Sequence, residues 1–161
     1  MPPITALLHT MNDALRLGRT LETILPCAEI LIVDHNSADA TRRVARQYGA
    51  RVVSADGDAP ARYYVGLAHH DWIFCLEPGE SITEGLQASL FEWSAQPSPG
   101  DSGGSGLSVF VREQTLDGWL DLPSPETRLI PRGWTVWDGR LPAHEPSAIP
   151  LKGELLRFAL R

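Results

Sequence analysis

The sequence predicts a single α/β domain of 161 residues, with three layers (α/β/α) built around a mixed, mostly parallel sheet, followed by a short strand-rich C-terminal part. Two observations predict this arrangement. Over residues 1–95, apolar runs rich in β-branched residues alternate with amphipathic helical stretches, a pattern typical of parallel strands joined by crossover helices. After residue 106, short apolar runs separated by turn residues replace that alternation.

The first fifty residues predict a β-α-β-α order. Strands are expected over 4–9 and 29–33, and the second is almost entirely apolar, which indicates a buried strand. Each strand is followed by a polar turn and an amphipathic helix. Residues that commonly cap or end helices mark the limits of the two helices: Asn12 or Asp13, Pro26, Ser37 or Asp39, and Gly49.

The next part continues the alternation up to residue 95. Strands are expected over 51–54 and 71–76, with a helix over 61–68 between them. Pro78-Gly79 predicts a tight turn after the second of these strands, and Ser81 with Glu84 predicts a capping box for one more helix. Beyond the Gly-, Ser- and Pro-rich flexible loop expected at 96–106, the predicted elements are three strands and a terminal helix, at 107–112, 127–130, 135–137 and 151–160.

Composition excludes several classes of protein. The net charge of −6 argues against sequence-independent binding to nucleic acid, although Arg42, Arg43 and Arg46 form a local basic cluster. Cys27 and Cys75 are the only cysteines and lie in or beside apolar segments, so we expect buried thiols in a reducing compartment. With no leader pattern and no apolar stretch of membrane-spanning length, a soluble cytoplasmic location without a transmembrane segment is expected.

One local motif suggests a function that its context argues against. Gly100-Asp101-Ser102-Gly103-Gly104 matches the segment that carries the nucleophilic serine of chymotrypsin-like proteases. Those proteases consist of two β-barrels that hold a base and a carboxylate against the serine, whereas this motif lies in a low-complexity loop of an alternating β-α chain. We therefore reject a protease function.

Polar residues follow several of the predicted strands. The carboxyl ends of parallel strands meet at one edge of a sheet, where α/β proteins bind their ligands. Asp34, at the end of an apolar strand, can there accept hydrogen bonds from a base or a sugar; the alternative is that it only caps the following helix. The residues expected at this edge are Thr10, Asn12, Asp34, Asn36, Arg62, Glu77 and Glu80.

This pattern resembles the family 2 glycosyltransferases, which are nucleotide-diphospho-sugar transferases of the A-type fold. The resemblance is carried by the segments 4–13, 29–41, 61–76 and 77–83. Farther along, the segments 127–132, 137–139 and 144–145 resemble the lipopolysaccharide-core glucosyltransferase branch of the family. The resemblance implies that 1–95 is a nucleotide-sugar-binding half and 107–161 an acceptor-side half.

The resemblance also implies roles for single residues. Asp34 would contact the nucleotide base, and Thr10 would line the same nucleoside pocket. Arg62 would lie near the diphosphate, where a guanidinium can bind phosphate oxygens in a bidentate manner; the alternative is an ordinary arginine on a helix surface.

The expected metal motif departs from the family pattern. Members of the family hold a divalent cation, Mg²⁺ or Mn²⁺, with carboxylates at alternating positions, and the cation neutralises the leaving diphosphate. Here Glu77 occupies the first acidic position, whereas Gly79 stands in place of the second carboxylate. Because Mg²⁺ often uses one or two carboxylates plus phosphate and water, Glu77 with Glu80 or His144 can still form a weakened site.

The resemblance implies an inverting transfer of a sugar from a nucleotide-diphospho-sugar to an unidentified hydroxyl acceptor. Glu145 would be the general base, although a His-Glu pair flanked by Pro142 and Pro146 is also typical of a solvated turn. The alternative is a catalytically degenerate domain that binds a nucleotide or a protein partner, because Gly79 weakens the metal site. A dinucleotide oxidoreductase is less favoured, because no Gly-x-Gly-x-x-Gly follows either candidate first strand.

Overall fold

The computed structural model of the chain describes residues 4–96 and 106–158. Within these residues it contains four helices: α1 (Ala14–Leu21), α2 (Thr41–Gln47), α3 (Ala61–Val65) and α4 (Glu84–Ser94). The strands are β1 (Ile4–Thr10), β2 (Glu29–Asp34), β3 (Arg51–Ser54), β4 (Trp72–Leu76), β5 (Glu80–Ile82), β6 (Leu107–Thr115), β7 (Gly118–Trp119), β8 (Ser124–Pro131), β9 (Trp137–Asp138), β10 (Leu141–Pro142) and β11 (Ile149–Arg157).

The main sheet has the strand order β3-β2-β1-β4-β8-β6-β11-β5, and β7 pairs with β6. Strands β3, β2, β1 and β4 are parallel, and this register places Thr10 beside Asp34 and Asp34 beside Ser54. Buried side chains of α1, α2 and α4 pack on one face of the sheet, and those of α3 pack on the other. The predicted α/β fold with a mixed, mostly parallel sheet is therefore confirmed.

The C-terminal part extends the sheet with strands of both directions. β8 runs antiparallel to β4 and β6, whereas β11 runs parallel to β6 and antiparallel to β5. The strand-rich character predicted for this part is confirmed. Strands β9 and β10 form a separate small hairpin.

The helix predicted over 151–160 is wrong for the part that the structure describes, because residues 151–157 belong to strand β11. Leu151 and Leu155, which suggested a helical stripe, are both buried in the strand. A spacing of four residues is even and so places two side chains on one face of a strand as well as of a helix. Gly153 lies between them with φ +97° at an irregularity of the β11–β6 pairing, a backbone conformation that a helix does not contain.

Other boundaries also differ from the predictions. Helix α4 is capped by Thr83, whose side chain accepts a hydrogen bond from the Leu86 backbone N–H, whereas Ser81 lies in β5 and forms no capping box. The predicted loop at 96–106 and the rejected protease motif lie almost wholly at 97–105, outside the described residues. Among the helices of the described ranges, none combines the length and the apolar character that crossing a membrane requires.

Both cysteines are free thiols, as predicted, and Cys75 is buried whereas Cys27, judged by its exposed surface, is half-buried. Burial raises the pKa of both Cys27 and Cys75 to about 12, so that both remain protonated at neutral pH. Cys75 lies within β4, beside the strand end that carries Glu77.

Candidate functional site

The turns that follow β1 and β2 are joined to each other by hydrogen bonds. The backbone N–H of Asn12 donates to Ser37 Oγ at 2.9 Å, and the N–H of Ala38 donates to Asn12 Oδ1 at 2.8 Å. Asn12 and Asn36 both have positive φ, 55° and 59°, which asparagine tolerates better than most residues. These contacts fix two strand ends of the parallel sheet relative to each other.

Asp34 is fully buried at the end of β2, and both of its oxygens accept hydrogen bonds. Oδ1 accepts from the hydroxyls of Thr10 at 2.7 Å and Ser37 at 2.6 Å. Oδ2 accepts from the Ser37 N–H at 2.9 Å and from Arg42 Nε at 2.8 Å. Burial alone would raise the pKa of Asp34, but these bonds outweigh it and lower that pKa, so the side chain is a carboxylate that organises the β2–α2 turn.

A crevice lies beside this turn, at the carboxyl ends of β1 and β4. It consists of two adjoining cavities of about 410 and 530 Å³ that share four lining residues, Glu77, Arg140, Leu141 and Arg157. His9 and Arg16 line the first cavity, and Asp138 and His144 line the second. Thr10, Asp34 and Arg62 are not lining residues of either cavity, and Arg62 is exposed on α3.

All three predicted metal ligands line the crevice, with Glu80 in the first cavity and His144 in the second, but Glu80 is engaged by arginine side chains. Glu77 and His144 line one cavity, and Thr127 Oγ1 lies 3.2 Å from His144 Nδ1. Partial burial and the neighbouring charge of Glu80 raise the pKa of Glu77. Across residues 4–96 and 106–158, no group of three His, Cys, Asp or Glu side chains is arranged to hold a metal ion.

Glu80 is only 1% exposed and forms a buried ion-pair cluster with Arg128, Glu126 and Arg157. Arg128, also 1% exposed, donates to both Glu80 oxygens at 2.8 Å. The charge of Arg128 overcomes the effect of burial and lowers the pKa of Glu80. Glu80 Oε1 also accepts the backbone N–H of Glu77 at 2.7 Å, and Arg128 donates to the Cys75 carbonyl at 3.0 Å. The cluster therefore fixes the β4–β5 turn that carries Glu77.

Sequence reasoning missed Arg128 and its pairing. The residue lies 48 positions from Glu80, so no local spacing links the two. The only signal was an arginine directly before the apolar residues Leu129 and Ile130, because a charged side chain in a buried stretch of strand needs a partner.

Glu145 and His144 are adjacent in sequence but line different cavities. Glu145 lines a cavity of about 320 Å³ with Trp134, and its Oε1 accepts bonds from the Ser147 N–H at 3.1 Å and the Ser147 hydroxyl at 2.9 Å. Asp138, which sequence reasoning did not single out as a catalytic candidate, is exposed at the end of β9 and lines the crevice with Glu77.

Two histidines connect the end of β2 to the crevice, because His35 follows Asp34 and contacts His9, which lines the first cavity. His9 Nδ1 is 2.9 Å from His35 Nε2, and Arg140 Nη2 is 3.3 Å from His35 Nδ1. Burial, followed by the charges of His35 and Arg140, lowers the pKa of His9 to about 3, so His9 is neutral at physiological pH. Burial and the charge of Arg140 also lower the pKa of His35, against the opposing effect of Asp34.

Comparison with known proteins places these features in context. No family model matches the chain. An uncharacterized glycosyltransferase of Rickettsia felis is 32% identical over 98 residues, which cover 56% of this chain and 33% of that protein. The 4,4'-diaponeurosporenoate glycosyltransferase of Staphylococcus aureus (strain bovine RF122) is 33% identical over 69 residues, covering 41% of this chain and 18% of that protein. The predicted resemblance to glycosyltransferases is confirmed.

Two solved structures share the fold of this chain. Mannosyl-3-phosphoglycerate synthase of Rubrobacter xylanophilus matches 69% of this chain and 40% of its own, with a TM-score of 0.50 and 19% identity. TarS of S. aureus matches 71% of this chain and 22% of its own, with a TM-score of 0.50 and 11% identity. The chain therefore spans about a third or less of the length of the two curated relatives and less than half of these two structures.

Proposed function

We propose that the chain binds a nucleotide-diphospho-sugar and transfers its sugar, with inversion, to a hydroxyl acceptor. The observation that carries this proposal is the crevice at the carboxyl ends of β1 and β4, lined by Glu77 and His144, in a chain that resembles glycosyltransferases. Ligands of open α/β sheets bind at this edge.

The donor would lie across the ends of β1, β2 and β4. Thr10 and Asp34 are the proposed nucleoside-binding residues, and Arg62 is proposed near the diphosphate. Because both Asp34 oxygens are already hydrogen-bonded, nucleoside binding through Asp34 requires that a ligand group replace one of its present partners, such as the Ser37 hydroxyl. The hydrogen bonds that Thr10, Ser37 and Arg42 donate keep the Asp34 carboxylate charged and fixed in orientation, so that it is a preorganised acceptor.

Glu77 and His144 are the proposed ligands of a divalent cation, Mg²⁺ or Mn²⁺, completed by phosphate oxygens and water. Such an ion would supply positive charge to the departing diphosphate. Glu80, which the sequence also suggested as a ligand, stays a prediction, and in this structure guanidinium groups engage both of its oxygens. Through its bond to the Glu77 N–H, Glu80 instead holds the turn on which Glu77 lies.

Two carboxylates are candidates for the base that removes the acceptor proton. Glu145 is implied by the family resemblance, and Asp138 is favoured by its place in the same crevice as Glu77. A base must come within hydrogen-bond reach of the acceptor, and catalytic contacts often tighten only when substrate binds. The variants Asp138→Asn and Glu145→Gln decide between them, because loss of transfer with retained donor binding identifies the base.

A second candidate function is nucleotide binding without catalysis. Gly79 in place of the second carboxylate and the commitment of Glu80 to an ion-pair cluster favour it. If both base variants and Glu77→Gln leave donor affinity and hydrolysis of the donor unchanged, this second function is supported over transfer.

The nucleotide site is tested by calorimetric titration of UDP and other nucleoside diphosphates, with Mn²⁺ and with a chelator. We expect binding that Asp34→Ala weakens at least about tenfold, since hydrogen bonds to charged groups contribute about 1.5–3 kcal/mol. If Asp34→Ala fails to fold, Thr10→Val is the replacement variant, because it removes only the hydroxyl that donates a hydrogen bond to Asp34. Absence of binding by every nucleoside diphosphate overturns both functions.

A further inference from the structure

Arg140 lies at the tip of the β9–β10 hairpin, directly at the crevice. Asp138 pairs with Leu141, so Gly139 and Arg140 form a two-residue turn, and Gly139 has the positive φ of 64° that such turns require. Arg140 is exposed and lines both cavities of the crevice. The hairpin therefore carries a guanidinium to the carboxyl ends of β1 and β2.

The contact between Arg140 and His35 fixes the protonation of two histidines. A guanidinium only donates hydrogen bonds, so His35 Nδ1 must accept the bond from Arg140. His35 Nε2 then carries the hydrogen and donates to His9 Nδ1. His9 is left with its hydrogen on Nε2, and this buried atom has no hydrogen-bond partner in the described part of the chain. Both imidazoles are therefore neutral.

Arg140 differs from the other two arginines of the crevice in the partner that its guanidinium contacts. Arg16 pairs with Asp13 at 2.5 Å, and Arg157 pairs with Glu80 and Glu126 at 3.2 Å. Arg140 contacts a neutral imidazole instead. Although Glu77 and Asp138 line the same cavity, no ion pair joins a carboxylate of the described residues to Arg140.

We propose that Arg140 is a phosphate-binding residue that holds the diphosphate of the donor, with His35 and His9 as positioning residues behind it. The inference rests on the proposed function and adds Arg140, a residue that lines the crevice, to the groups that meet the negative charge of the donor. An arginine suits this task because its planar fork engages two phosphate oxygens at once. Because it bonds a neutral ring, the charge of Arg140 is not compensated by a paired carboxylate of the described residues.

The experiment is calorimetric titration of three probes, UDP, inorganic pyrophosphate and uridine, into the full chain and its variants. Arg140→Gln is compared with Arg43→Gln, which removes one positive charge from the exposed surface of α2. We expect Arg140→Gln to lower the affinity for UDP and for pyrophosphate at least about tenfold and to leave the affinity for uridine unchanged. The affinities of Arg43→Gln for all three probes should stay within about twofold of those of the wild type. Inorganic phosphate, as a fourth probe, shows whether one phosphate group suffices.

Each outcome separates this inference from the proposed function. Equal UDP affinity in wild type and Arg140→Gln overturns the role of Arg140 and leaves the nucleotide site intact. An equal loss of affinity for uridine and for UDP also overturns this role, because uridine has no phosphate group that Arg140 could bind. If no nucleoside diphosphate binds but pyrophosphate binds through Arg140, the phosphate site stands and its assignment to a nucleotide donor falls.

The positioning role of the histidines needs a readout that a purely structural role does not change. In NMR spectra, pyrophosphate should shift the imidazole resonances of His35 and His9 in wild type, because the ligand draws Arg140 away from His35. The same addition should leave these resonances unchanged in Arg140→Gln. Identical shifts in both proteins show that the histidines respond to something other than Arg140 and overturn their role.

Discussion

The two halves of the main sheet position their polar side chains by different means. In the half formed by β3, β2, β1 and β4, the buried interior is mainly apolar, and polar groups at the strand ends are joined by hydrogen bonds between turns. In the half formed by β8, β6, β11 and β5, a cluster of two arginines and two glutamates lies within the fold.

The difference shows how one crevice is built from two kinds of support. The turn between β2 and α2 is held by Asp34, whose partners are Thr10 at the end of β1, Ser37 in the same turn and Arg42 in α2. The turn between β4 and β5 is held by Glu80, whose arginine partners come from strands far along the chain. Breaking the second support should therefore disturb a larger part of the fold than breaking the first.

The largest expected effect is that of Arg128→Met, which leaves the buried carboxylate of Glu80 with Arg157 as its remaining cation. Removing one partner of a buried ion pair costs about 3–5 kcal/mol, and we expect a loss of about that size in the free energy of unfolding. Urea unfolding followed by circular dichroism measures it.

The control for this prediction is the double variant Glu80→Gln/Arg128→Met. It removes the uncompensated charge and should regain part of the lost stability. A loss below about 1 kcal/mol in Arg128→Met would mean that the cluster contributes little beyond its packing.

A slightly smaller effect is expected within the second half, where β11 packs closely against α4. A Cβ atom added to Gly153 would lie 2.2 Å from the backbone nitrogen of Leu86, and the φ of +97° is unfavourable for any side chain. We expect Gly153→Ala to cost about 3 kcal/mol in unfolding free energy. Gly133→Ala is the matched control, because no atom lies within 4 Å of its added Cβ, and its effect should stay within about 0.5 kcal/mol.

The sequence predicts the first half of the sheet better than the second because its signals are local. The apolar run that ends at Asp34 and the alternation of strands and helices are readable within about fifteen residues, a span set by short connections. In the second half, the decisive contacts join residues far apart in sequence, such as Arg128 to Glu80, 48 positions apart.

The site shows the same limit. The end of β4 is readable from its apolar run, so Glu77 was expected at the sheet edge. Arg140 reaches His35 across 105 positions, and no sequence spacing indicates this contact. The strand β11 was mistaken for a helix because the spacing of Leu151 and Leu155 fits both structures, and only pairing with β6 decides between them.

The smallest predicted effect is the change in stability between about pH 6 and pH 5, which should separate the two halves. The pKa of His9 is lowered to about 3 in the folded chain, so between that value and the ordinary 6.5 the unfolded chain binds a proton that the folded chain does not. Stability therefore falls as pH falls through this window, by up to about 1.4 kcal/mol per pH unit. The lowered pKa of His35 acts in the same direction.

Glu80 responds at lower pH. Its pKa is lowered from 4.5, so its contribution is present above that value and is lost only on further acidification. Urea unfolding at pH values between about 6 and 5 should therefore report the histidines of the first half. We expect His9→Gln to flatten the slope there, whereas His144→Gln, which removes an exposed histidine, should leave it unchanged. An equal slope in wild type and His9→Gln would place the acid sensitivity outside the His9–His35 pair.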